Sequence, residues 1–142
     1  MNKTLLSSAL IVAGLALIAY GILPNSGSFD ESEWYSLGKA LELAKKENKM
    51  VFVFVSSDTC VYCEKMKVEV FSDKQLMDKL KSKYIPALVN AEKDVEDVRR
   101  IAKLFGGDFG YPAFVIFSPD GVPVNGWSGF VTKEELEKIL DI

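Results

Sequence analysis

Apolar positions along the chain follow distinct rhythms, and each rhythm predicts an element. From Leu5 to Leu23 no charge interrupts the run LLSSALIVAGLALIAYGIL, which as a helix would extend roughly 28 Å, close to the hydrocarbon thickness of a bilayer. Further on, Trp34, Leu37, Leu41 and Ala44 recur at helical spacing. They predict a first helix over about Glu31 to Glu47, opened by Asp30 with Glu33 three residues later and closed near Lys45, Lys46 and Lys49, where cations suit a helix C-terminus. Continuous β-branched and aromatic runs mark strands, and Met50 to Val55, apolar at every position, predicts a central one buried on both faces.

Ser56 to Thr59 then turns the chain with residues able to cap a helix, and a helical stretch continues from Cys60 through Val68 towards Phe71. Ser72-Asp73 breaks or recaps it, because Leu76, Met77 and Leu80 start a fresh stripe. Tyr84 to Val89 predicts a second strand, with Pro86 placed where the ladder needs no donor. Asp94 opens a helix through Val95, Val98, Ile101, Ala102 and Leu104 that ends at Gly106-Gly107. Ala113 to Phe117 predicts a third strand. Ser118-Pro119-Asp120-Gly121 is a turn, Val122 to Trp127 returns from it, and Thr132 to Glu135 is a capping box before Leu136, Ile139 and Leu140. The order implies an α/β fold, a central mixed sheet with helices on both faces, preceded by an N-terminal hydrophobic helix.

The chain divides accordingly into a membrane anchor or signal segment (1–23), a polar linker (24–29) and one globular domain (30–142). Length favours a retained anchor, whereas Ala19-Tyr20-Gly21 offers a small-x-small cleavage site and hence a secreted or periplasmic alternative. Lys3 precedes the run while Asp30, Glu31 and Glu33 follow it. The positive-inside bias therefore puts the domain on the extracytoplasmic side of the cell membrane.

Composition removes several chemistries. The formal net charge is −3 and no histidine is present, so no basic patch calls for nucleic acid, and the commonest metal ligand and general base is missing. Only two cysteines exist. Two thiols without histidine fall short of the four ligands a zinc site within one chain would take, and thiol-based metal binding would need two chains.

Those cysteines are Cys60 and Cys63, three positions apart at the opening of a helix. The spacing brings them within the separation a disulfide tolerates, while the loop so closed is too short to contribute much stability. Such a bridge suits being made and broken. Cys60, at the helix N-terminus, is the nucleophile, because unpaired N–H groups there favour a thiolate; Cys63, one turn deeper, is the resolving thiol. No separate cofactor and no metal is expected, since the Cys60–Cys63 disulfide is itself the redox group. Tyr111-Pro112, just before the third strand, is the second candidate element.

With a CxxC after a strand, an X–Pro before the next-to-last strand, a hairpin and a terminal helix, residues from about Glu31 to Ile142 resemble the thioredoxin superfamily. They are similar in particular to the C-terminal domain of the periplasmic transmembrane thiol:disulfide reductase, through Phe71-Ser72-Asp73, Gly110-Tyr111-Pro112, Asp120-Gly121 and Gly129-Phe130. The resemblance implies a cis Pro112 beside the disulfide and a Tyr111 backbone that pairs with an extended substrate segment. Tyr62, Tyr111 and Pro112 become the expected substrate-binding residues.

The departures also carry information. Thr59 stands where thioredoxin has Trp, Val61-Tyr62 replaces Gly-Pro, and Phe54 occupies the place of the family's buried acid. Nothing obvious then takes the Cys63 proton: Asp58 and Glu64 are near enough in sequence to serve through water, but both are expected to face solvent. The expected function is thiol–disulfide exchange with protein thiols and disulfides, as a reductase or relay served by a membrane electron donor, in a monomer. A peptide-binding or chaperone-like module on the same scaffold is the alternative.

Overall fold

A computed structural model describes residues 27–142. The expected membrane or signal segment lies outside the described residues, and among those described no helix is long and apolar enough to cross a membrane. The fold is a four-stranded mixed sheet in the order β2-β1-β3-β4, made of β1 (Met50–Ser56), β2 (Tyr84–Asn90), β3 (Ala113–Phe117) and β4 (Pro123–Ser128). Strand β1 runs parallel to β2 and antiparallel to β3, and β3 is antiparallel to β4.

The reading of Met50 to Val55 as a central strand holds because successive side chains supply two different cores. Phe52 and Phe54 enter one, and Val51, Val53 and Val55 the other. Helices α2 (Val61–Glu69), α3 (Lys74–Lys83) and α5 (Lys133–Leu140) cover the phenylalanine face through Cys63, Met66, Leu76, Leu80, Leu136 and Leu140. Helices α1 (Leu37–Glu47) and α4 (Val95–Leu104) cover the valine face through Leu37, Ala40, Ala44 and Ile101.

The expected continuous helix from Glu31 to Glu47 is corrected. Glu31–Glu33 forms a 3-10 turn capped by Asp30, the chain then extends, and Ser36 caps a separate α1. The reason is long-range: Tyr35 bridges to β2, its N–H donating to Pro86 O (3.0 Å) and its carbonyl accepting from Leu88 N–H (3.0 Å). That extended link lets the Trp34 indole turn inward, where its ring meets Phe71 edge-on at 4.9 Å. Apolar spacing could not separate a helix from this interruption, since Trp34 is buried either way.

Pro86 lies in edge strand β2, and Asp73 recaps the chain at the start of α3, its carboxylate accepting from Leu76 N–H (2.9 Å). The Thr132 capping box is formed in full with Glu135. Asp94 occupies the N-cap position of α4, yet its carboxylate turns back to accept from Asn90 N–H (2.8 Å) instead of capping the helix. The return strand starts at Pro123, one residue later than expected, because Val122 O closes the preceding turn on Ser118 N–H (2.7 Å).

Candidate active site

The chain leaves β1 at Ser56, and a turn closed by Cys60 N–H on Ser57 O (3.2 Å) delivers the first cysteine. Cys60 occupies the N-cap position of α2 with extended backbone, where its Sγ accepts from Cys63 N–H at 3.0 Å. Sulfur thus fills the role usually given to a Ser, Thr or Asp oxygen. The Cys63 N–H, one of the first N–H groups of the helix that lack intrahelical acceptors, is aimed at this sulfur and would stabilise a thiolate there. The two cysteines form a disulfide, with Cα atoms 5.2 Å apart. Cys63 is fully buried and Cys60 partly exposed, so only the first is open to an incoming partner.

The turn is gripped by a neighbouring loop. Because β1 and β2 are parallel and end together at Ser56 and Asn90, the segments that follow them meet at one edge of the sheet, as open α/β sheets generally arrange. Ala91 N–H donates to Ser56 O (2.8 Å) and Asn90 Nδ2 to Asp58 Oδ1 (2.8 Å). Glu92 receives Ser57 Oγ–H on Oε1 (2.5 Å) and Asp58 N–H on Oε2 (3.1 Å). These hydrogen bonds hold the Glu92 carboxyl below its ordinary range, the Ser57 hydroxyl contributing most. Sequence reading missed Glu92. The signal available was the polar stretch Asn90 to Asp94 placed directly after a strand that pairs in parallel with β1.

Tyr111–Pro112 is a cis peptide bond, and Pro112 is buried with its carbonyl accepting from Gly129 N–H (2.8 Å). That contact ties the β4–α5 loop to the proline. Phe130 follows in the same loop, 6.4 Å from the Tyr62 ring, with Lys65 Nζ 4.6 Å from the Phe130 centroid. Tyr62 is 58% exposed and Val61 even more so, leaving an apolar surface beside Cys60. The Tyr111 ring instead leans edge-on against Phe109 at 5.3 Å. Among the expected substrate-binding residues, Tyr62 and Pro112 are thus joined through Gly129-Phe130, which sequence reading had noted as a motif without a role.

Phe54 is fully buried between Phe71 (4.9 Å) and Phe114 (5.6 Å, stacked). Of the two carboxylates left for proton handling, Glu64 pairs with Lys67 at 3.0 Å on the surface. Asp58 lines a cavity of about 340 Å³ together with Ser56, Trp34, Leu88 and Asn90. Within the residues lining that cavity, Ser56 Oγ and Trp34 Nε1 are buried polar atoms with no protein partner.

A family model described as a thioredoxin-like domain matches residues 37–142. An uncharacterised protein of Archaeoglobus fulgidus is 31% identical over 90 residues, covering 63% of this chain and 69% of its own. Spermatogenesis-associated protein 20 of Rattus norvegicus is 30% identical over 114 residues, 75% of this chain but only 14% of that protein. Among solved structures, a thioredoxin from Thermus thermophilus superposes with a TM-score of 0.65 at 27% identity, covering 82% of this chain and 85% of the other. The oxidised C-terminal domain of Neisseria meningitidis DsbD gives 0.59 at 18% identity over 81% and 97%, a likeness of fold.

Proposed function

The chain belongs to the thioredoxin-like domain family, and on that premise we propose that it is a thiol–disulfide oxidoreductase acting through Cys60 and Cys63 on protein disulfides. The observation that carries the reading is the pairing of a partly exposed Cys60, set at a helix N-terminus, with a fully buried Cys63 one turn away. In the reduced form, the Cys60 thiolate attacks one sulfur of a substrate disulfide. That S–S bond breaks, a mixed disulfide forms, and the other substrate sulfur leaves as a thiolate that takes up a proton. Cys63 then loses its proton and attacks Cys60 Sγ. The mixed disulfide breaks, the second substrate thiol departs, and two electrons have passed to the substrate while Cys60–Cys63 is oxidised.

With Phe54 in the interior, the Cys63 proton goes to the departing substrate thiolate. Substrate lies along Tyr62, Phe130 and the Tyr111-Pro112 backbone as an extended segment. No positive charge stands between the cysteines to stabilise the reduced form, which favours a reductase or relay over a strong oxidant. The charge-free run at 5–23 holds the domain on the extracytoplasmic side, where a membrane donor returns electrons to it.

Insulin reduction by the 142-residue chain, with dithiothreitol as electron source, tests the reaction: Cys60→Ser abolishes turnover, and a Cys60→Ser chain as active as wild type would falsify the reading. Cys63→Ser traps the mixed disulfide, and mass spectrometry of the adduct identifies the partner and the attacked sulfur.

A further inference from the structure

The Ser57–Cys60 turn is held from outside by a single carboxylate. Glu92 takes the Ser57 hydroxyl at 2.5 Å and the Asp58 N–H at 3.1 Å, one on each oxygen. Ser57 is only 6% exposed, and its own carbonyl accepts the Cys60 N–H. Hydrogen bonds to an ionised acceptor are roughly twice as strong as neutral ones. Asn90 reinforces the grip, its Nδ2 donating to Asp58 while its Oδ1 accepts from the N–H groups of Glu92 and Lys93 at 3.0 Å each. The position of Cys60 is therefore determined by the loop after β2 as well as by its own helix.

Glu92 also brings a charge. Its Oε2 lies 3.1 Å from Asp58 N, and the carbonyl oxygen of that same peptide, Ser57 O, lies 3.2 Å from Cys60 N, the N and O of one peptide plane being only ~2.3 Å apart. The negative charge thus lies within about 10 Å of Cys60, close to one Debye length at physiological salt. It opposes the N-terminal field of α2, which favours the thiolate. A less favoured thiolate leaves the reduced pair less stable and therefore a better electron donor.

We propose that Glu92 is a positioning residue of the redox site: its two oxygens fix the Ser57–Cys60 turn, and its charge biases the Cys60–Cys63 pair towards reducing its partners. The inference rests on the redox reading above and assigns a direction to it. Two effects follow, one of geometry and one of charge. Glu92→Gln loses the charge and keeps one of the two acceptor oxygens, whereas Glu92→Ala loses the charge and both oxygens.

The experiment compares the full chain as wild type, Glu92→Gln and Glu92→Ala in two measurements, equilibration with a glutathione buffer and insulin turnover. Both variants shift the glutathione equilibrium about threefold towards the dithiol, as expected for loss of one partly screened charge at this distance. Turnover falls about tenfold in Glu92→Ala, where the turn is free to misplace the sulfur, and falls less in Glu92→Gln, which keeps one of the two hydrogen bonds to the turn. Ultraviolet thiolate absorbance in a Cys63→Ser background adds a direct readout: Glu92→Gln raises the Cys60 thiolate fraction at neutral pH. A glutathione equilibrium unchanged in Glu92→Gln, or wild-type turnover in Glu92→Ala, overturns the proposal. Should Glu92→Ala not fold, the Glu92→Gln equilibrium alone decides it. A wild-type chain without insulin turnover overturns the redox reading instead.

Discussion

At Phe54 the chain places a ring where the resemblance implies an acid, and its neighbours show why a charge has no place there. Trp34, Phe71 and Phe114 lie within 4.9–5.9 Å, centroid to centroid, and the site is closed to water. Phe54→Ala should cost about 3–5 kcal/mol of stability, measured by urea unfolding, because the cavity left among rings collapses only partly. The Cys60–Cys63 disulfide was legible at this scale because the chain has no other cysteine to pair with either. Glu92 and Phe130 were not. Each acts from a different loop, and a carboxylate or a ring in a loop carries no periodic signal; only the parallel pairing of β1 with β2 brings Glu92 to Ser57.

Among the elements, α3 and α5 show how capping and tertiary contact combine. Asp73 caps α3 and also receives Lys133 Nζ from the first turn of α5 at 2.7 Å. Burial alone would push the Asp73 carboxyl up, but hydrogen bonds from Lys133 and from the N–H groups of Leu76 and Gln75 outweigh it and hold it below its ordinary range. A carboxyl depressed by folding contributes stability in full above its unfolded pKa, about 3.9, and loses that contribution as pH falls through the folded value. Asp73→Asn keeps a capping oxygen and should cost up to about 1 kcal/mol near neutral pH. Unfolding curves taken at successively lower pH should show the gap between the two proteins closing below about pH 4. Element type was readable nearly throughout, since runs such as Met50 to Val55 and stripes such as Leu76, Met77 and Leu80 admit one interpretation. The first helix was misjudged because Tyr35 is claimed by β2, a partner some fifty residues away that local spacing does not reveal.

For the whole molecule, the redox bond and the fold are nearly independent. The disulfide closes a loop with a sequence separation of 3, which limits its entropic contribution to at most about 2 kcal/mol. The main cohesion comes from the two cores on either side of the sheet, each built from several helices. Urea unfolding of the oxidised and reduced chains should therefore give free energies within about 2 kcal/mol of each other. A larger gap would mean that the active-site bond staples the fold. Oxidation and reduction of the pair would then leave most of the fold's cohesion in place. Such cycling also leaves a mark on the backbone. Since Cys60 Sγ is the acceptor for the Cys63 amide, any change in that sulfur alters a main-chain hydrogen bond. The Cys63 amide resonance is consequently expected to shift between the oxidised and reduced forms, a gauge of oxidation state that needs no added dye.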